Sequence, residues 1–402
     1  MNNKTVYAIF GGYSDQYWTS VATPVFKGRC HGLTVCKFDT ATGTLCQHSR
    51  IWDIESPATL TVSPDGSRVY AANETSDFTQ RGYGGGISAF SFDYETGELR
   101  LINQSLSYGA YPADISLDKS GKFLFVANHG SKLYCTRFEE KEGELVPVVI
   151  RDEGCLCMFS INEDGSIGRL LDRVVFTGSG LNPVDHGSAH PHAVKIDEQD
   201  FIIVPDKGAD SIHILKLDRK NKKMVHLSDF HTGLGSSPRQ ATFVKDSDFV
   251  LVVNEYDGHL CSYKLERQSG ELTQISRLDC GDPSEPYFHK FYGTPMHAWA
   301  NDVQIHPNGK YAYTNIDQNI FSQFEINRCS GELRLVSRLK TRGPSCRGMK
   351  IDRTGSYLIG AGWDAEKACI FKIDPVSGAL SLTQEIGLPT PTAVEFIYPP
   401  QI

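Results

Sequence analysis

The sequence predicts an all-β chain folded as a seven-bladed β-propeller, and three observations carry that prediction. The first is a turn that recurs between short apolar runs: Asp39-TATGTL, Asp93-YETGEL, Asn162-EDGSI, Asp218-RKNKKM, Glu266-RQSGEL, Asn327-RCSGEL and Asp374-PVSGAL, seven copies. The second is a different turn, at Ser63-PDG, Asp118-KSG, Asp197-EQD, Lys245-DSD, His306-PNG and Asp352-RTG, six copies. The third is what lies between them: short β-rich runs such as TLTVS, RVYAAN, GISAFSFD and FIIVPD, with no long helical period. Seven copies of one marker and six of the other fit a closed ring of four-stranded antiparallel blades, with strands A to D running from the axis outward. Six A–B hairpins are continuous in sequence, and the seventh is split between the chain ends. The whole of residues 1–402 then forms one domain. A β-sandwich pair or a β-helix does not predict that six-plus-seven count.

Each element follows in order. Blade 1 takes strand B from Thr5–Phe10 and strand A from Thr392–Ile397, which removes the weak seam of an open ring. Gly11–His31 is its long B–C connection. Blade 2 is the hairpin around Ser63, then the connection Glu74–Gly86, then GISAFSFD and its turn. Blade 3 carries the largest insertion, about residues 129–155, with a hairpin of its own in KLYCTRF and ELVPVVI. Gly178–Ala189 leads into blade 4, whose second strand is FIIVPD. Blade 5 is the clearest hairpin: Ala241–Val244 and Phe249–Val253 flank the polar turn Lys245-Asp246-Ser247-Asp248. Gly281–Ala300 leads into blade 6, and the turns at Asp352 and Asp374 complete blade 7. The A–B and C–D turns are short, whereas the B–C and D–A connections are long, and in a propeller those two emerge on one face. Function is expected on that face.

Composition narrows the function. Hydrophobic residues are 40% and charged residues 22%, as in soluble globular proteins. A net charge of −8 without a basic block gives no electrostatic footprint for nucleic acid. No apolar run approaches membrane-spanning length, so no membrane partner is expected. The start, MNNKTVYAIFGGY, lacks a charged segment followed by a long apolar one, which points to a cytoplasmic protein. The eleven cysteines have no regular spacing; Cys155 and Cys157 are too close for a zinc knuckle, and Cys30, Cys36 and Cys46 lack a His pair. Reduced structural thiols, no metal and no cofactor are the expectation. A monomer or weak homo-oligomer acting on a small molecule fits these totals.

Residues just before each strand A and just after each strand B should ring the central mouth. Polar residues gather there in blades 4 to 7: His190 and His192 with Asp206, Arg239 with Asn254 and Glu255, Asn301 and Asp302 with Asn315 and Asp317, and Arg347 with Trp363 and Asp364. Arg239 and Glu255 flank one hairpin, so a cation and a carboxylate stand side by side at its open end. His190-Pro-His192 places two imidazoles on one side of an extended chain, suited to acid–base work near neutral pH. As a metal site the pair would need Asp206 or Glu255 as a third ligand. Asp206-Lys-Gly-Ala-Asp210 has the composition of a structural turn whose carboxylates bind turn amides. Trp363 would either stack on a substrate ring or pack in the core.

These stretches carry a resemblance. GSAHPHAVKID…VPDKGADSIHILKLD resembles the His-x-His and Asp-Leu-Gly-x-Asp blade of the seven-bladed lactonase family, and SSPRQATFVKDSDFVLVVNE resembles its Pro-Arg-His…Asn-Glu blade. SPATLTVSPDGSRVYAANE with GGGISAFSFDYETGEL is similar to its second blade, and the likeness runs from Tyr7 to Phe396. The family includes bacterial 6-phosphogluconolactonases and the fungal carboxy-cis,cis-muconate lactonizing enzyme. The resemblance implies metal-free opening or closing of a lactone ring by a His, an Arg and a Glu, which correspond to His190 or His192, Arg239 and Glu255. Two departures stand out. Gln240 replaces the His after Pro-Arg, and Thr314-Asn315-Ile316 lacks the second Arg of the sixth blade. Lys132, Arg137 or Arg151 in the insertion could supply a substitute cation.

The reaction expected from these residues is hydrolysis of a sugar-type lactone such as 6-phosphogluconolactone. Glu255 or one histidine would take the proton of water, Arg239 would hold the oxyanion, and Asn301 and Asp302 would orient hydroxyls. Arg347 would add a cation on the opposite wall. Cyclisation of an unsaturated dicarboxylate, or a binding propeller without catalysis, are the alternatives.

Overall fold

The structure, a computed structural model, describes residues 5–17, 26–78, 84–132, 134–183, 186–282, 289–291, 294–296, 299–317, 319–341 and 346–400. Parts of the long connections Gly11–His31, Glu74–Gly86 and Gly281–Ala300 lie outside them.

Seven four-stranded antiparallel sheets form the blades, as the turn count requires. The ring closes between its ends: Pro391–Ile397 is the innermost strand of blade 1 and pairs with Val6–Gly12, with Tyr7 opposite Ile397 and Phe10 opposite Val394. The insertion of blade 3 forms its own hairpin, Tyr134–Lys141 with Glu144–Arg151, as its sequence predicts. Two further hairpins, Ser14–Tyr17 with Phe26–Arg29 and His289–Phe291 with Thr294–Met296, decorate the same face.

The strands pack blade on blade. The described core divides into seven apolar clusters, and each lies on one seam between neighbouring blades. Strand B of blade 4, Phe201–Asp206, shows why its sequence is an unbroken apolar run. Phe201 and Ile203 face blade 5, while Ile202 and Val204 face blade 3. A strand covered on both faces loses the in–out alternation of a half-exposed one.

A repeated irregularity sets the site. In blades 2, 3, 5, 6 and 7 the pairing of strand A skips one residue at its mouth end. Pro238 faces Asn254 and Gln240 faces Val253, so Arg239 is the extra residue of a β-bulge. Blade 1 skips at the same level, between Pro391 and Ala393. In blade 4 strand A is reduced to Lys195–Ile196, but Pro191 still bridges Asp206 and the His192 N–H donates to the Pro205 carbonyl at 2.9 Å. A bulge re-aims its extra side chain. Here six of the seven extra residues, all but that of blade 6, line the axial cavity.

Candidate active site at the axial mouth

The extra residues of the seven bulges are Thr392, Ala58, Ala113, His192, Arg239, Asn301 and Arg347, in blade order. A second ring stands around them, made by the first residue after each strand B: Tyr13, Glu74, His129, Lys207, Glu255, Asp317 and Trp363. His192, Arg239, Asn301, Arg347, Glu255 and Trp363 were expected at the mouth from sequence, and all hold ring positions. Lys207 was missed. It sits in blade 4 where Glu255 sits in blade 5, so strand register alone would have found it. Reading Asp206–Asp210 as a turn hid it.

That turn does the structural work expected of it. Oδ1 of Asp206 accepts the His190 N–H at 2.7 Å and the Gly208 and Ala209 N–H groups at 3.0 Å. Asp210 accepts the Gly235 and Ser237 N–H groups at 2.8 and 2.7 Å, which fixes the approach to Pro238 and Arg239. Gly208 has no alternative there: a Cβ would stand 2.1 Å from the Ser188 carbonyl oxygen and 2.5 Å from the His190 ring.

Glu255 is held on both oxygens. Lys207 Nζ lies 2.6 Å from Oε1 and Arg239 Nε 2.7 Å from Oε2, and all three side chains are under 10% exposed. Burial alone would raise the Glu255 carboxyl, but Lys207 and then Arg239 outweigh it and hold it at about 2. Burial pulls the Lys207 ammonium down to about 8 despite the attraction of Glu255. Arg239 also donates through Nη1 to the Asn301 carbonyl oxygen, so its guanidinium bridges blades 5 and 6. Across the mouth, Arg347 lies over the Tyr13 ring at 5.1 Å and 3.8 Å from Glu74, and the Tyr13 hydroxyl donates to Glu74 at 3.0 Å.

Burial holds the histidines in their neutral form. His129 and His190 stack at 4.4 Å, and His192 meets His129 edge-on at 5.7 Å. The His190 Nδ1–H donates to the His129 carbonyl at 2.7 Å, which leaves Nε2 as the acceptor of the neutral ring. Burial first, and neighbouring cations after it, push His190 down to about 4 and His129 and His192 well below the usual range. His186, also buried and also pushed down, to about 3, lies against Tyr256 at 4.5 Å. His186 comes from the connection before blade 4, where sequence alone gives no register to place it.

An axial cavity of about 260 Å³ opens below the rings. His192, Arg239, Arg347, Glu74 and Asp302 line it; Glu255, His190 and Lys207 stand behind that wall. Asn301 turns its side-chain amide to Asp317 at 3.0 Å. Both oxygens of Asp302 are engaged, one by its neighbour Val303 N–H and one by Met349 N–H of blade 7 at 2.8 Å. Trp363 is half-buried. Of the substitute cations, Arg137 pairs with Glu139 on the exposed hairpin and Arg151 donates to the Pro183 carbonyl at 2.9 Å. Lys132 instead contributes to the field at His129, His190, Lys207 and Glu255.

Three comparisons bear on this arrangement. The profile of the family described as lactonase, 7-bladed beta-propeller, matches residues 8–396. A Formosa agariphila protein named 6-phosphogluconolactonase is 27% identical, covering 88% of this chain and 92% of its own. A Bacillus subtilis protein of the same name is 21% identical over 92% of this chain and 96% of its own. The periplasmic gluconolactonase of Pseudomonas aeruginosa superposes with a TM-score of 0.79 at 22% identity, covering 98% of this chain and all of its own. That last likeness speaks to the fold.

Proposed function

The chain belongs to the seven-bladed β-propeller lactonase family, and from that premise we propose that it hydrolyses a sugar-type lactone, of which 6-phosphogluconolactone is the first to test, at the axial mouth. The observation that carries the proposal is the bulge ring. It brings a buried neutral imidazole, His192, and two guanidinium groups, Arg239 and Arg347, to one cavity. Its volume is near the lower end of small-molecule sites, which run from about 300 Å³.

The reaction needs a base, an oxyanion partner and a proton for the leaving oxygen. His192 takes a proton from water as the water oxygen bonds to the lactone carbonyl carbon. The charge that builds on the carbonyl oxygen is met by Arg239, held ready and dry, where such donors are worth most. Collapse breaks the ring C–O bond, and the His192 imidazolium returns its proton to the ring oxygen, giving the open hydroxy acid. Glu255 is a positioning residue in this scheme. Lys207 and Arg239 occupy both of its oxygens, which leaves it no free position from which to take the proton of water. Its place behind the wall, clamped by Lys207, serves to aim Arg239. His129 meets the His192 ring edge-on from the other side, and His190 stacks on His129.

The test is a spectrophotometric assay of purified protein against sugar lactones with and without phosphate. Turnover above the spontaneous rate, lost in His192→Ala and Arg239→Ala, is the expected result. Wild-type rates in both variants would move the chemistry away from this mouth. Metal-free action is part of the proposal, and turnover should survive dialysis against chelator. A cytoplasmic setting also belongs to it, supported by eleven cysteines that all stand as free thiols. Among the described residues no helix is long and apolar enough to cross a membrane.

A further inference from the structure

Away from the mouth, on the seam between blades 3 and 4, three side chains converge that the lactonase scheme does not use. His213 lies on strand C of blade 4, and His226 and Asp229 lie on strand D. Oδ1 of Asp229 is 2.5 Å from His213 Nδ1 and 2.8 Å from His226 Nε2. One ligand atom from each residue lies within 4.8 Å of the other two. A bulge in the pairing, between Ile214 and Leu215, brings His226 and Asp229 to the same side of strand D although they are three apart.

We propose that His213, His226 and Asp229 bind one divalent transition-metal ion of the zinc class. Two imidazole nitrogens and one carboxylate are a borderline-soft set, suited to zinc, cobalt(II) or nickel and unsuited to calcium or magnesium, which want oxygen. The inner ligand is organised in advance. His213 is buried, its ring stacks on Phe176 at 4.1 Å, and its second nitrogen meets Asp206 Oδ2 at 3.2 Å. A carboxylate behind a ligating imidazole fixes ring orientation and raises ligand basicity. His226 and Asp229 are about 40% exposed at the side chain, so an ion can enter from solvent and keep water as its fourth ligand.

The site is structural and stands apart from the chemistry. Asp206 is shared: one oxygen faces His213 and the other holds the His190 N–H and the turn that carries Lys207. Occupancy would therefore brace the turn from behind.

Chelator-treated full-length protein titrated with zinc chloride by calorimetry should bind one equivalent. His226→Ala and Asp229→Ala should each weaken that step at least about tenfold. Zinc should raise the melting midpoint of the wild type and leave that of the variants unmoved. Cobalt(II) added instead should give the visible absorption of a four-coordinate site. If either alanine variant fails to fold, Asp229→Asn keeps a hydrogen-bonding group of the same shape and should still lose affinity. The absence of a saturable step in the wild type would overturn the site and leave a hydrogen-bonded His–Asp–His network. Equal affinity in the variants would overturn it too, by placing the ion elsewhere.

Discussion

Lys207, Glu255 and Arg239 form a buried cation–carboxylate–cation row, and its energetics are those of a shared charge. Breaking a buried pair by removing one partner typically costs about 3–5 kcal/mol, because the other charge is left uncompensated. Lys207→Met leaves Glu255 paired with Arg239, so it should destabilise the protein by less than that and lower kcat by loosening Glu255 and, through it, Arg239. Glu255→Gln leaves two buried cations uncompensated and should cost that order, and the double variant Lys207→Met with Glu255→Gln, which keeps Arg239 as the one buried cation of the row, should recover part of that stability and none of the activity, since the two residues couple directly. Thermal melts of the two single variants and the double one measure this; additive losses would mean that the pair is not coupled. The histidines give a pH prediction. His186 and His190 titrate at about 3 and 4 in the folded chain, and His129 and His192 lie well below their ordinary range. Between about pH 6.5 and 4 the unfolded chain binds protons that the folded chain refuses, so stability falls as pH falls. Each such ring adds a slope of up to about 1.4 kcal/mol per pH unit. Glu255, depressed in the fold, adds its own loss from about 4.5 down to about 2. Urea midpoints flat from pH 6.5 to 4.5 would contradict the neutral imidazoles.

At the scale of the element, the bulge and the turn decide what reaches the cavity. Five of the seven bulges begin with proline, at Pro57, Pro112, Pro191, Pro238 and Pro391, where no strand N–H is needed. The dipeptides Pro191-His192 and Pro238-Arg239 therefore announce site residues, and Pro57-Ala58 and Pro112-Ala113 announce the small ones that leave the cavity open. Gly208→Ala tests the turn. Its Cβ would overlap the Ser188 carbonyl and the His190 ring, so the turn must move. Misplacement by an ångström costs on the order of 10²-fold in rate, and overpacking about 1–3 kcal/mol in stability. The expected variant is folded, less stable and far less active; unchanged kcat/KM would show that the turn does not position the site.

For the whole molecule, closure is the critical feature. Strand Pro391–Ile397 supplies Val394 and Phe396 to the seam with blade 7, and Ala393 and Ile397 to the seam with blade 2. Truncation after Pro391 would open two of the seven seams and leave the edge of Val6–Gly12 unpaired. The loss should far exceed the ~1 kcal/mol of an average substitution. Loss of the single cooperative melt, with aggregation, is the expected outcome in calorimetry. A truncated protein that melts like the full chain would mean that the ring is held some other way.

The repeat count, the closure of the ring, the elaborated face and the pairing of Arg239 with Glu255 were all determined by the sequence alone, because each rests on local rules. Turn residues punctuate strands, strand period sets which side chains share a face, and the ends of one hairpin lie together wherever it sits. What only the tertiary structure decided is how side chains from different blades meet. Lys207 reaches Glu255 across a seam, His129 stacks on His190, and Arg347 faces Glu74 across the axis. Those contacts depend on the rotation from one blade to the next and on burial, which holds the Glu255 carboxylate between two cations. Burial is a property of the closed ring, and no segment carries it by itself.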